Sequence, residues 1–252
     1  MVKDKLVEMR EYLTANTWVN IDFKQSDQGK KIEMPPVQKA IRTDQELIAL
    51  PDVNPEVIQT SNYYDLVANR ESRRQFTDQE LSMTELSFLL WATQGVRKQT
   101  GKHVFRNVPS AGNRHTFETY LAINRVESLA KGIYRYLPLE HALVLETEFS
   151  DGAELEEEMK QAANMQSFFA SAAVGFIWTT IPYRMEWRYL DCTAKMIAID
   201  AGHVCQNLYL AAGAIGCGTC AMAAYNQAKA DALLKVDGKD EFVVYMAPVG
   251  KV

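Results

Sequence analysis

Residues 193–214 carry the longest helical pattern in the chain, and that helix constrains the fold more than any other feature. Ile197, Ala201, Val204, Leu208 and Ala211 fall on one apolar stripe, and the small residues Ala201-Gly202 and Ala211-Ala212-Gly213 permit another backbone to come close. The pattern is apolar nearly all round apart from Asp200, His203 and Asn207. Such a helix lies inside a core or between subunits. Its spacing alone leaves both placements open.

The neighbouring segments say what the helix packs against. Ala172 to Thr179 is a nearly continuous apolar run, as in a central strand covered on both faces. Phe117 to Val126 reads as a strand with Phe117, Leu121 and Ile123 on one face. Ile133–Tyr136 and Leu143–Leu145 flank a turn at Pro138, which predicts a hairpin. Ser82-Met-Thr-Glu85 is a capping box: the serine hydroxyl accepts from one orphan amide while Glu85 reaches back to another. The helix it starts presents Leu86, Leu89 and Leu90 and stops near Gly95. An acidic helix over 153–164 and a last strand over Glu241–Ala247 complete the set. Short strands interspersed with helices, including an antiparallel hairpin, place the chain in the α+β class, with a mixed central sheet flanked by helices. The first sixty residues are less regular. Leu6, Met9 and Leu13 have helical spacing, but Asp27-Gln-Gly-Lys-Lys31, Pro35-Pro36 and Pro51 interrupt any regular element after them. Residues 1–60 therefore read as an arm lying over a body formed by 61–252.

Composition excludes some functions. Against 32 acidic residues stand 27 basic ones, a net charge of −5, whereas a general nucleic-acid binder shows a basic face. No run approaches the roughly 18 to 20 apolar residues that span a bilayer. The charged stretch Met1–Arg10 does not read as a secretory signal. Cys192, Cys205, Cys217 and Cys220 do not form a disulfide framework in a chain of this length, so a reducing cytoplasm is the expected location. The four histidines lie far apart, and no residues at metal-ligand spacing accompany His203 and Cys205.

Three segments carry candidate chemistry. In Arg70-Glu-Ser-Arg-Arg-Gln-Phe76, a turn could converge Arg70, Ser72 and Arg74 on one phosphate, because guanidinium forks match phosphate oxygens two at a time and stay charged. Arginine clusters at helix ends also arise as solvated or carboxylate-paired surface. In Arg106-Asn-Val-Pro-Ser-Ala-Gly-Asn-Arg-His115, the small residues Pro109, Ser110, Ala111 and Gly112 let backbone approach a flat ring, although an ordinary loop before the strand at Phe117 has the same look. Lys251, in the closing Pro-Val-Gly-Lys, could stand as a point charge beside a phosphate or simply be solvated.

Taken in order, Arg-x-Ser-Arg-Arg-x-Phe, the capping-box helix ending Leu-Trp-Ala…Gln94-Gly95, Arg106-x-x-Pro-Ser-Ala-Gly112, Glu118-Thr-Tyr-Leu121, Gly132-Ile-Tyr-Arg-Tyr136, Ala201-Gly-His-Val-x-Gln-Asn-Leu208 and the closing Pro-Val-Gly resemble one family. They are similar to the SagB-type dehydrogenases, the thiazole/oxazole-forming peptide oxidases and their stand-alone relatives among the nitroreductase-like flavoproteins. The likeness runs from about residue 62 to 252. It implies a nitroreductase-like fold, an intertwined homodimer with FMN at its interface, and two-electron chemistry at flavin N5 with NAD(P)H as a reductant. By that resemblance Arg70, Ser72 and Arg74 hold the phosphate and ribityl end with Lys251 nearby. Pro109 to Gly112 reach the flavin of the other subunit, and Cys220, Ala221 and Met222 lie against it with a backbone amide near N5. The long helix then belongs at the interface. The acceptor is a quinone or nitro compound, or else a small or peptide substrate is oxidised. Rival expectations are a non-catalytic, peptide-binding subunit that keeps the fold, and a relative that consumes its flavin.

Azoline-oxidising members of that branch have a Lys-Tyr pair about fourteen residues before the Gly-His of the long helix, where this chain has Arg188-Tyr189. Arginine does not lose its proton and cannot replace lysine as a base. Arg188 and Tyr189 are the candidate catalytic pair, with Arg188 as an anchor for an anionic substrate group or as part of an aromatic lid over 183–189. Arg114 and His115 are candidates for the pocket rim. Cys217-Gly-Thr-Cys220 has redox spacing but follows a helix rather than opening one, so buried small residues are the expected reading.

Overall fold

The computed structural model describes the backbone from Val2 and the side chains from Asp4 to Val252. Among the described residues nine strands form in chain order: β1 Leu47–Ala49, β2 Val96–Thr100, β3 His103–Arg106, β4 Phe117–Ile123, β5 Gly132–Leu137, β6 Ala142–Glu148, β7 Val174–Thr180, β8 Cys217–Thr219 and β9 Phe242–Lys251. Seven of them make one sheet in the order β1-β6-β5-β4-β7-β9-β8, and β2 and β3 form a separate hairpin. Every neighbouring pair in the sheet runs antiparallel. The sheet expected to be mixed is thus antiparallel throughout its named strands, and among the described residues the one parallel contact is the isolated bridge Leu81–Val126.

The helices are α1 Val2–Glu11, α2 Asn16–Asn20, α3 Tyr63–Ala68, α4 Met83–Gln94, α5 Gly152–Ala162, α6 Ser167–Ala170, α7 Tyr183–Tyr189, α8 Thr193–Ala214 and α9 Gln227–Leu234. They divide between the two faces of the sheet because side chains alternate across a strand. Phe117, Leu121 and Ile123 of β4 join Phe176 and Trp178 of β7 in a core with Leu86, Leu89 and Leu90 of α4 and Val204 and Leu208 of α8. Tyr120, Ala122 and Ile177 face the other way, onto Leu155 and Met159 of α5, Phe169 of α6 and Leu233 and Leu234 of α9. All seven residues of β7 are buried, as its apolar run requires.

α8 crosses the first face with Ile197, Ala201, Val204, Leu208 and Ala211 buried. Its opposite side, with Ala198, Ile199, Gly202, His203 and Gln206, is exposed in the single chain. Within the first sixty residues, β1 pairs with β6 as the edge strand of the sheet. α1 keeps Leu6 and Met9 exposed, and Leu13 lies beyond its end. No helix of the described residues is long and apolar enough to cross a membrane.

Candidate active site

The arginine-rich segment is laid across the short end of the sheet by backbone bonds. Arg73 N donates to Thr219 O at 2.9 Å, and Thr77 N donates to Lys251 O at 2.9 Å. Two glycines make this approach possible. Gly218 and Gly250 face each other in the β8–β9 register. A Cβ on Gly218 would lie 2.6 Å from the Arg73 Cβ, and one on Gly250 would lie 2.9 Å from the Phe76 Cβ. With its backbone pinned there, the segment leaves Arg70, Ser72 and Arg74 exposed. Arg73 pairs with Glu71. Arg70 lies over the Tyr209 ring at 5.2 Å and Arg74 over Phe168 at 5.7 Å. Neither has a carboxylate partner among the described residues. Lys251 is placed differently: its ammonium is engaged by Glu85 and approaches Ile215 O at 3.5 Å, so it is not a free cation beside the arginines.

Tyr209, on α8, draws the segments together. Its hydroxyl lies 2.8 Å from Ser72 Oγ and accepts from Ala221 N at 2.8 Å. The phosphate-candidate segment and the Cys220–Met222 stretch therefore meet at one oxygen. Sequence reasoning passed over Tyr209; the signal was a lone aromatic with a polar tip among the small residues of the helix. Met222 exchanges backbone bonds with Met246, which fixes the stretch to β9. Cys217 and Cys220 are both buried and unbridged, and burial pushes the Cys217 thiol up to about 12, the opposite of what a redox-active thiol needs.

The Pro109–Gly112 loop sits elsewhere, on the N-terminal half of α8. Ser110 Oγ donates to Asp200 Oδ2 at 2.6 Å, and Ala111 N lies 3.2 Å from both carboxylate oxygens. Burial raises the Asp200 pKa against the pull of those two bonds. Asp200, noticed in the sequence only as a polar break in the stripe, is the loop's anchor. Gly112, Asn113 and His115 all have positive φ, at +54°, +59° and +46°. A Cβ on Gly112 would meet the Tyr189 hydroxyl at 2.5 Å, so loop and α7 are in close contact. Arg188 lies over the Tyr189 ring at 5.3 Å, and Trp18 from α2 meets the same ring edge-on at 5.7 Å. Arg114 is buried, donating from Nε to Arg184 O at 3.1 Å and lying over Trp187 at 4.8 Å. His115 is held neutral, its pKa lowered to about 3 by burial and then by the charges of Arg106 and Arg114. The expected residues thus form two groups, Arg70–Arg74 with Cys220–Met222, and Pro109–His115 with Arg188–Tyr189.

The nitroreductase family profile matches residues 67–251. The chain belongs to the nitroreductase family. A relative from Methanocaldococcus jannaschii, named as a nitroreductase, is 30% identical over 204 residues, covering 81% of this chain and 96% of the relative. Among solved structures, a nitroreductase-named protein of Ralstonia eutropha has a TM-score of 0.67 at 23% identity, covering 86% of this chain and 97% of the other. A chain of the E. coli microcin synthetase complex McbBCD, solved with truncated pro-MccB17 bound, has a TM-score of 0.61 at 17% identity and covers 98% of this chain and 97% of the other. These two structures share the fold.

As a nitroreductase-family member the chain is an oxidoreductase, and the cofactor set the family implies is FMN with NAD(P)H. The donor set suits a phosphate-bearing, flat-ringed group. Two guanidiniums without carboxylate partners flank a serine hydroxyl at an exposed edge. Beside them Thr219 Oγ1 is buried without a hydrogen-bond partner. The cavity bounded by Asn69, Arg70, Tyr209 and Gly216–Thr219 holds about 190 Å³. Ligand pockets commonly measure about 300–1,000 Å³, so this cavity by itself is smaller than most.

Proposed function

We propose that this nitroreductase-family enzyme is an FMN-dependent, NAD(P)H-linked oxidoreductase that works as a homodimer in the cytoplasm and reduces quinone or nitro compounds. The observation that carries the reading is the meeting of Ser72 and the Ala221 amide at the Tyr209 hydroxyl, with Arg70 over the same ring. That junction supports an assignment of Arg70, Ser72 and Arg74 to the phosphate, and of Cys220–Met222 to the ring. Lys251, already engaged by Glu85, stabilises the start of α4 and contributes less to the phosphate. FMN, when bound, supplies two-electron transfer at its ring, while the protein supplies binding, orientation and charge.

Helix geometry supports the homodimer. Asp200 and Tyr209 are nine residues apart on α8, about two and a half turns and roughly 13.5 Å of rise, so they point to opposite sides. The Pro109–Gly112 loop anchored on Asp200 is therefore turned away from its own Arg70 segment and serves the site of a second copy.

Purified protein should show flavin absorbance bands, and the double variant Arg70→Ala/Arg74→Ala should lose about tenfold or more in FMN affinity, as expected when two charge-assisted bonds go. Unchanged FMN retention in the double variant would remove the phosphate assignment. A second reading, a peptide-binding subunit, is favoured by the likeness to the McbBCD chain, which extends over 98% of this sequence and so includes the first sixty residues. Protein that purifies colourless and takes up no FMN would select it.

A further inference from the structure

We propose that Arg188, backed by Arg114, binds the carboxylate of an aromatic acid substrate beside the Pro109–Gly112 loop. The identity of that loop as part of the redox site rests on the proposed flavin function; the binding of the anion does not.

Although the chain is acidic overall, no Asp or Glu occurs between Glu85 and Glu118, a stretch that contains Arg97, Lys98, Lys102, Arg106, Arg114 and two histidines. Folding buries Arg106 and Arg114 and brings buried Arg184 from α7 against them. Glu118 is the carboxylate of this group. It takes Arg184 Nη2 at 2.5 Å and is also approached by Arg135 at 3.7 Å. Among the described residues Arg106 hydrogen-bonds only to neutral groups, the Gln94 amide and Val37 O. Arg114 has the Arg184 carbonyl and the Trp187 ring.

Three guanidinium nitrogens in this cluster, Arg106 Nε, Arg114 Nη2 and Arg184 Nη1, are buried without a hydrogen-bond partner among the described residues. Arg188 stands at its edge, half-buried, and makes neither an ion pair nor a hydrogen bond among the described residues. A Cβ on Gly112 would lie 3.1 Å from Arg188 Cδ, which puts the side chain against the loop. Burial first, and then the neighbouring arginine charges, hold His115 neutral and lower the Arg114 pKa.

Buried charge without a counter-ion is costly, so an anion arriving here gains more than it would at a solvated arginine. The fork geometry of Arg188 suits the two oxygens of a carboxylate. Trp18, exposed and edge-on to the Tyr189 ring over which Arg188 lies, gives an aromatic body a surface to rest on. A neutral substrate of the same shape obtains the ring contacts but not the charge.

The test is calorimetric titration of the purified full chain with 4-nitrobenzoate and with its neutral counterpart 4-nitrobenzamide. Wild-type protein should bind the acid about tenfold more tightly or better, a ratio appropriate to one partly buried charge-assisted pair. Arg188→Gln should bring the ratio to about one, and Arg188→Lys should retain part of it because a point charge keeps attraction but loses the fork. In wild type alone, raising NaCl from about 50 to about 500 mM should shrink the ratio, since screening weakens the attraction. Equal binding of acid and amide by the wild type, or a ratio that survives Arg188→Gln, overturns the proposal. The flavin spectrum of the same preparations reports separately: colourless protein that still prefers the acid removes the flavin reading and leaves the anion site.

Discussion

At the scale of single residues, the hydroxyl of Tyr209 and the carboxylate of Asp200 organise the two halves of the proposed site, one from each side of α8. Tyr209 can act twice because a phenol oxygen both accepts and donates. It accepts from Ala221 N and is bonded to Ser72 Oγ, while its ring carries the Arg70 guanidinium. Tyr209→Phe removes only the first two contacts. Ser72 is exposed and can turn to water, but the Ala221 amide loses its acceptor in a half-buried position. The cost to stability should be about 1 kcal/mol, the usual net worth of a hydrogen bond with some unsatisfied burial. FMN affinity should fall several-fold, because Ser72 and the 221 amide are no longer held to one point. Thermal unfolding and FMN titration measure the two effects separately. Tyr209→Leu should weaken FMN further by removing the ring under Arg70, and equal behaviour of the two variants would show that the ring contact contributes nothing.

Among elements, those that the sequence made legible are those whose signals are local. The capping box is present in full, with Glu85 N donating to Ser82 Oγ at 3.1 Å and Ser82 N to Glu85 Oε2 at 3.0 Å, and α4 ends at Gly95. α8 spans the residues its pattern marked, and the hairpin of β5 and β6 turns where Pro138 indicated. The last strand runs further than expected, to Lys251 rather than Ala247, although Pro248 lacks a ladder donor. Its register explains this. Pro248 faces Gly175 on β7, and β8 pairs only with Val249–Lys251, so the missing amide falls outside the β8 ladder. β1 and β8, three residues each, carry no periodicity to read and exist because longer strands template them. For the same reason the contact of the arginine segment with β8 was invisible. It depends on Gly218 and Gly250 falling opposite each other, a matter of register rather than composition. Gly218→Ala should therefore act on the site from a distance. Its Cβ would press on Arg73 and on Val252 Cγ1, each 2.6 Å away. A forced shift of this kind costs about 1–3 kcal/mol. The expected result is a lowered Tm together with reduced FMN content, the latter because Arg70 and Arg74 move with their backbone. Normal FMN content in a destabilised Gly218→Ala protein would uncouple the strand edge from the site.

For the whole molecule, a single chain leaves one face of α8 uncovered, and the proposed homodimer would cover it and complete the proposed cradle. The exposed side of α8 offers Ala198, Ile199, Gly202 and Gln206, and nothing lies within 4 Å of a Cβ built on Gly202. The monomer thus has room for any side chain there, and replacing an exposed helical glycine should by itself stabilise the helix by up to about 1 kcal/mol. In a homodimer packed across this face the same position has no room, since small residues are what let two helices approach. Gly202→Trp separates the cases. The variant should keep its far-UV circular dichroism and shift from dimer to monomer by sedimentation. It should also lose FMN, because in the proposed dimer the Pro109–Gly112 loop on the Asp200 side serves the partner's site. Loss of FMN without loss of the dimer would place the tryptophan in the cofactor site itself. A flavin-bound dimer indistinguishable from wild type would mean that α8 is not the interface, and that the loop and the Arg70 segment must meet by some other contact between copies.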